Sequence, residues 1–542
     1  MDDQRDRLVR KGNYVDGSFI KPESVDGYIN CVNPGDRSDL LGRFPFSARS
    51  VDDAIAHAKQ GAEEWAEVGV NDRAQAIMRF RDTLQKYKDP LAQLISRETG
   101  KPIWEARHEV IGSLRALDIY LDDGLGLLAP LVLTKTAART DYSPRGVVAL
   151  LCPYNPPLRI AVTQTAAAVL AGNAVVFKPS KFTPAVGQLI AECWDRCRMP
   201  RGVVNMVQGS GSVVGHRLVT HPGVDALVCT GSFKTAMTVR KTLFRRPDLP
   251  VIYQTGGKGM AIVLNDADME RSVYEVMLGS FLSTGQRHNS TGRVIVEEGI
   301  YEEFTRELLR RTRRLSVGFG ANPGTFMGPL ISENIRTRYR QYTRALESKG
   351  HTPLLARKRF QDRERSGFYV TPSIYEIDHT NGHPFLNDEP PGPVLLVYKA
   401  KDAAEAVALH NRAIYRLVCS VFTKRNKGRL NDLLVDIKTG AINVNRATLG
   451  FSMRLPSVGL GRSSSGVSAD LELVRALTHP KARLVEDRPF NPGMLVPGTH
   501  WLQGDLVEGL GKLPDDETSI RDVASVETLV RSRPPIDDPD TD

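Results

Sequence analysis

His288 stands in the segment Gly285-Gln286-Arg287-His288-Asn289-Ser290-Thr291-Gly292-Arg293, which runs into the apolar Val294-Ile295-Val296. A histidine in a loop that opens a strand can act as a general base, a nucleophile or a metal ligand. No histidine, cysteine or carboxylate lies near it at ligand spacing, so no metal site is expected. Gln254 opens Gln254-Thr255-Gly256-Gly257-Lys258. Its neutral amide cannot take up a proton at physiological pH, so it cannot serve as a base. Two cysteines end apolar runs, Cys152 just before Asn155 and Cys229 just before Thr230-Gly231-Ser232. Each reads as a small buried hydrophobe rather than a nucleophile.

The elements that must position these groups are legible in the hydrophobic pattern. Residues 51–120 carry apolar side chains at helical spacing, from Val51 to Ala58 and from Arg73 to Tyr87. From Gly146 the texture changes. Short apolar runs (Val147 to Leu151, Ala174 to Phe177, Val203 to Val207, Ala226 to Cys229) alternate with helical stretches, as in β-α-β units around a parallel sheet. A second alternating region contains the candidate strands Val294 to Val296, Pro393 to Val397 and Ser420 to Phe422. The expected fold class is therefore α/β.

Ligands of open α/β sheets bind beyond the carboxyl ends of the strands. Lys178, at the end of Ala174 to Phe177, is placed there to reach a ribose or phosphate. Thr230-Gly231-Ser232 precedes a helix-forming stretch, whose first N–H groups and dipole favour a pyrophosphate. Gly209-Ser210-Gly211 with Gly215 predicts a further tight turn. An ordinary strand-to-helix loop would account for each of these turns taken singly.

The 542 residues imply two or three domains, and 41% hydrophobic with 25% charged residues is the balance of a globular chain. The longest apolar runs, such as Gly146 to Cys152, are too short to span a bilayer, and Met1 to Arg7 holds no signal-like apolar region. The six cysteines form no CxxC pair. Free thiols of this kind point to a reducing compartment, the cytosol. The net charge of +9 is uneven: residues 487–542 carry twelve acidic against five basic side chains, leaving about +16 on the rest. The basic residues are scattered and no nucleic-acid motif accompanies them, so they read as a solvated surface.

Several further segments, in order between residues 14 and 486, resemble the aldehyde dehydrogenase family. Arg97-Glu98-Thr99-Gly100-Lys101-Pro102-Ile103-Trp104-Glu105-Ala106 resembles the ETGKP turn, with a W-E-A continuation similar to the N-succinylglutamate 5-semialdehyde branch. Pro153-Tyr154-Asn155-Pro156-Pro157 resembles P-[WY]-N-F-P, and Ala171-Gly172-Asn173 through Lys178-Pro179-Ser180 resembles A-G-N-x-V-V-x-K-P-S. Thr230-Gly231-Ser232 is similar to T-G-S, Gly256-Gly257-Lys258 to the end of E-L-G-G-K, and Glu389, Gly392 and Pro393 to part of E-x-F-G-P.

The resemblance implies two parallel-sheet α/β domains plus a β oligomerisation arm. Residues 1–130 and 149–255 would form a Rossmann-like nucleotide-binding domain and 256–450 a catalytic-type domain. Residues 131–148 and 451–486 would form the arm and C-terminal return, with 487–542 an acidic, partly disordered extension containing a short helix at Ile520 to Val530. A homodimer or homotetramer would follow, with the acidic tail either a surface appendage or a docking segment for a partner protein. NADP or NAD would be held by Lys178, Ser180, Lys181, Gly211, Gly231, Ser232 and Glu389. Lys181 stands where the family often has a glutamate that binds the adenine ribose. It either attracts a 2′-phosphate, favouring NADP, or faces solvent and touches nothing.

In the family reaction a cysteine thiolate attacks the aldehyde, hydride passes to the nicotinamide, and water activated by a glutamate hydrolyses the thioester. An asparagine amide and a backbone N–H hold the oxyanion. By resemblance Asn155 keeps the oxyanion role, His288 stands at the nucleophile position and Gln254 at the general-base position. Pro156, Pro391 and Ser457 stand where phenylalanines would, Val458 where a glycine would, and Ala236 where a glycine often ends the T-G-S turn. The leading expectation is a catalytically inactive member acting as scaffold, partner or nucleotide sensor. Two alternatives are an active oxidoreductase in which His288 deprotonates the aldehyde hydrate, and one in which a displaced cysteine such as Cys152 attacks.

Overall fold

The computed structural model describes residues 11–133, 138–358, 360, 365–380, 385–425, 427–468, 470–486 and 489. Two short strands, β1 (Asn13–Val15) and β2 (Ser18–Ile20), precede four helices: α1 (Arg49–Ala66), α2 (Val70–Lys86), α3 (Lys88–Thr99) and α4 (Ile103–Ile119). Then follow β3 (Val147–Leu151), α5 (Pro157–Leu170), β4 (Ala174–Lys178), α6 (Pro184–Asp195), β5 (Val204–Met206), β6 (Ala226–Thr230), α7 (Phe233–Thr242) and β7 (Val251–Gln254). The first sheet has the order β7-β6-β3-β4-β5-β1-β2 and is parallel from β7 to β5. Its central strands are buried on both faces, and their uninterrupted apolar runs are what a doubly covered parallel sheet requires.

The second sheet starts with β8 (Gly259–Val263), followed by α8 (Met269–Phe281), β9 (Thr291–Glu297), α9 (Glu333–Ser348), β10 (Thr352–Leu355), β11 (Ser373–Glu376), β12 (Val394–Ala400), β13 (Val418–Phe422) and β14 (Ala441–Val444). Its order is β10-β11-β12-β9-β8-β13-β14, parallel except for β10 at the edge. Separate apolar clusters lie on its two faces, one centred on Ile262, Ile295 and Leu396, the other on Val263, Val294 and Phe304.

Both sheets belong to one compact unit, Met1–Val132 with Arg139–Arg483. The second unit joins Leu133–Ala138 to Leu484–Asp542, and the expected helix at Ile520 to Val530 lies outside the described residues. The boundary expected at 148/149 falls inside β3, whose Val147 and Val148 already pair with β4 and β6. The expected arm and C-terminal return at 451–486 contains both buried and strand residues. Met453, Leu471, Leu473, Val474 and Leu477 are buried in the core of the first sheet. Thr478–Leu484 and Ala138–Pro144 are strands of a three-stranded sheet with Leu131–Leu133. Among the described residues no helix is long and apolar enough to cross a membrane.

Two buried glutamates, Glu98 on α3 and Glu109 on α4, hold the starts of α6 and α5. Glu98 accepts hydrogen bonds from the N–H groups of Ala185 and Val186, each 2.8 Å, at the start of α6. Glu109 does the same for Leu158 (2.8 Å) and Arg159 (3.4 Å) at the start of α5. Helix N-termini leave such donors without intrahelical partners, and a buried carboxylate satisfies them. Glu109 is held in turn by Lys101 at 2.6 Å, in an ion pair almost wholly shielded from water. Gly100 ends α3 at φ 72°, where a side chain would also strike Pro329. These contacts fix the loop that carries Asn155.

Candidate functional site

The register of the first sheet brings Leu151, Lys178, Thr230 and Gln254 to one edge, at the carboxyl ends of β3, β4, β6 and β7. Over that edge opens a cavity of about 730 Å³. Lys178, Ser180, Lys181, Gly211, Gly231, Ser232 and Glu389 line it, and so do Asn155, Gln254 and His288. These ten residues therefore face one space.

One end of the cavity is lined by Lys178, Ser180, Lys181, Gly211, Gly231 and Ser232. Lys178 is buried, and its ammonium donates to the carbonyls of Pro179 (2.8 Å) and Gly209 (3.1 Å). Burial lowers its pKa to about 8, with the Lys181 charge pushing the same way. Ser232 caps α7 by accepting the Thr235 N–H at 3.2 Å. A Cβ on Gly211 would meet nothing within 4 Å and one on Gly231 would have only Thr235 near it, so both turns leave free volume rather than packing tightly. Gly211–Gly215 is a helical turn and not the tight turn expected. Lys181 is exposed, its ammonium 5.2 Å from the centre of the Phe182 ring. These donors and this free volume fit a dinucleotide phosphate chain.

His288 occupies the other end. Its loop is built from three successive residues in the left-handed region, Ser283 (φ 54°), Thr284 (φ 56°) and Gly285 (φ 60°). Ser283 and the neighbouring Arg287 both bond to Glu105, the guanidinium at 2.9 Å, and Arg287 also donates to Ser283 Oγ at 2.8 Å. A Cβ on Gly285 would lie 2.5 Å from the Gly392 carbonyl, which excludes any side chain there. The turn that begins at Gln254 lies against His288. Lys258 N–H donates to its carbonyl at 3.2 Å, and a Cβ on Gly256 would come within 2.9 Å of the His288 Cβ.

The electrostatics there disfavour protonation. Burial, followed by the positive charges of Arg287 and Arg159, lowers His288 to about 4, so the imidazole is neutral at pH 7. Among the described residues its ring has no hydrogen-bond partner, nor has the Gln254 side chain. Cys152 and Cys229 do line the cavity, but burial pushes both thiols up to about 12. The Asn155 amide is buried, with its Oδ1 unpartnered. No group of three or more histidine, cysteine or acidic side chains suited to a metal occurs among the described residues. Pro391 lines the cavity. Ser457 instead bonds Asp470 at 3.1 Å, and Ala236 is buried in α7 behind Ser232, at the nucleotide end.

Residues 19–482 match the aldehyde dehydrogenase family. The chain belongs to that family. It is 32% identical over 494 residues to an N-succinylglutamate 5-semialdehyde dehydrogenase of Chromobacterium violaceum, covering 90% of this chain and 99% of the relative. It is 31% identical over 458 residues to the α-ketoglutaric semialdehyde dehydrogenase of Bacillus subtilis, covering 84% and 93%. A cysteine-to-alanine variant of aldehyde dehydrogenase C from Pseudomonas syringae, solved with NAD+ and octanal, superposes with a TM-score of 0.82 at 27% identity, covering 88% of this chain and 97% of that one.

Three contributors to the aldehyde dehydrogenase-like site were not read from the sequence. Arg338, on α9, lines the cavity, but a charged residue on a helix carries no local signal. Arg159 acts on His288 through space from the first turn of α5. Glu105 supports the His288 loop. It lies in the W-E-A segment, and only the fold brings it to Ser283 and Arg287.

Proposed function

We propose that this chain is an aldehyde dehydrogenase scaffold that has lost thioester chemistry and acts by binding NADP or NAD, as a sensor or as part of an assembly. The observation that carries this reading is the pair of side chains offered to the reacting end of the cavity: an imidazole with no hydrogen-bond partner and a neutral amide. A general base works best with a pKa near the operating pH. With His288 near 4, the route through an aldehyde hydrate gains little from it. Thiols held near 12 are almost wholly protonated at pH 7, which disfavours a displaced nucleophile.

Lys178, Ser180, Gly211, Gly231, Ser232 and Glu389 would hold the cofactor, which when bound supplies a hydride acceptor. Support for its binding without turnover comes from the Pseudomonas syringae variant, solved with both NAD+ and an aldehyde. The first test is fluorescence titration with NADPH and NADH, alongside a reduction assay using N-succinylglutamate semialdehyde and micromolar protein. Binding without turnover is the expected result. Turnover that vanishes in His288→Ala would overturn the proposal.

Lys181 gives the cofactor preference. Its exposed ammonium lies on the cavity wall where it would attract a 2′-phosphate. Lys181→Glu is expected to weaken NADPH binding about tenfold, or about 1.4 kcal/mol, without weakening NADH binding. Equal affinities for the two cofactors in both proteins would assign Lys181 to solvent. Assembly into a homodimer or homotetramer through the three-stranded sheet belongs to the same reading, and light scattering measures it.

A further inference from the structure

Lys258 is a buried amine in the same cavity, and the functional reading above leaves it without a role. The turn before it runs through Gly256 and Gly257 (φ 103°), and Lys258 itself is at φ 61°. Its stem lies along Gly292, where a Cβ would come within 2.9 Å of Lys258 Cδ. The ammonium has one hydrogen bond, to the Gly392 carbonyl at 2.6 Å, and no carboxylate within ion-pair distance among the described residues. Lys178 differs, because two carbonyls hold its nitrogen at the nucleotide end.

We propose that Lys258 captures aldehydes as an imine. This rests on the reading that the cavity admits aldehydes and presents no reactive thiol to compete. The lone pair of the neutral amine attacks the carbonyl carbon, a C–N bond forms, and the π pair moves to oxygen. The proton lost by nitrogen passes to that oxygen through water, while the Glu389 carboxylate, anchored by the Gly257 N–H at 3.3 Å, acts on the amine through space. The hydroxyl of the carbinolamine then leaves as water after a second protonation, and the C=N bond closes. No oxidant or reductant takes part.

The surroundings favour the neutral amine. Burial lowers Lys258 to about 7, with Arg293 pushing the same way and Glu389 opposing. At pH 7 it would hold about 10³ times more neutral amine than an ordinary lysine.

The test treats the full chain with succinic semialdehyde and sodium borohydride, which reduces an imine to a stable secondary amine, and maps the adduct by peptide mass spectrometry. One adduct is expected on the Lys258 peptide, absent in Lys258→Arg and Lys258→Met and retained in His288→Ala. Lys258→Arg keeps a cation able to bond the Gly392 carbonyl, so it separates lost chemistry from lost folding. The labelling rate should level off above about pH 7, following Lys258, where surface lysines keep rising towards pH 10. Labelling confined to surface lysines, or unchanged in Lys258→Arg, would overturn the proposal. NADPH titration of the same samples separates the two readings: retained binding without an adduct sinks the imine alone, whereas loss of binding in wild type sinks the functional reading.

Discussion

Replacing His288 by cysteine is expected to yield a single burst of reduced cofactor, and adding Gln254→Glu to convert that burst into steady turnover. Loss of a nucleophile that divides a reaction into two steps costs on the order of 10⁶ in rate, and loss of a general base about 10²–10⁴. The single variant restores attack but leaves hydrolysis without a base, so the acyl group should stay on the new thiol. Burial, the largest influence on His288, would push a thiol there up, whereas Arg287 and Arg159 would oppose it by stabilising a negative sulfur. Asn155 remains in the cavity wall for the oxyanion. Rapid mixing with NADP and a semialdehyde, reading burst amplitude per subunit, tests the pair. No burst from a folded, cofactor-binding His288→Cys variant would show that a thiol at this position is not enough to restore attack.

Lys101→Met is expected to destabilise the protein by about 3–5 kcal/mol, because it leaves the Glu109 carboxylate buried without its cation. Glu109 also caps α5, so the loss reaches the loop bearing Asn155. The double variant Lys101→Met with Glu109→Gln should recover much of that stability, since neither charge is then stranded. Thermal melts of the three proteins decide it. A Lys101→Met protein that melts within a degree or two of wild type would mean that water reaches Glu109.

The strands were legible because a parallel sheet covered on both faces demands continuous apolar runs, and Val147 to Leu151 or Ala226 to Cys229 have no other use. Lys178 and Ser232 could be singled out because each follows such a run, and Gln254 because its segment resembles E-L-G-G-K. Arg338 and Arg159 could not, because their importance comes from another element packing opposite them. Near residue 148 the pattern shows no break, because the preceding segment runs straight into the core strand Val147–Leu151. Likewise Leu471 to Leu477 follow a glycine-rich stretch in sequence yet pack into the first core. Which chemistry a histidine performs cannot be read from its letter, since burial by the fold, followed by the charges of Arg287 and Arg159, sets His288.

The left-handed run Ser283-Thr284-Gly285 has a bearing on how quickly a ligand is received. For non-glycine residues such geometry costs about 1–3 kcal/mol each, and for a β-branched threonine it is a genuine outlier. Folding alone meets that cost here, through Glu105 below the loop and the Gly328 carbonyl that accepts the Thr284 hydroxyl at 2.9 Å. A visitor therefore has little wall left to order. Association with a prepared surface of this kind is governed by diffusion and orientation rather than by rearrangement, and affinity differences among ligands should appear chiefly in how long each one stays.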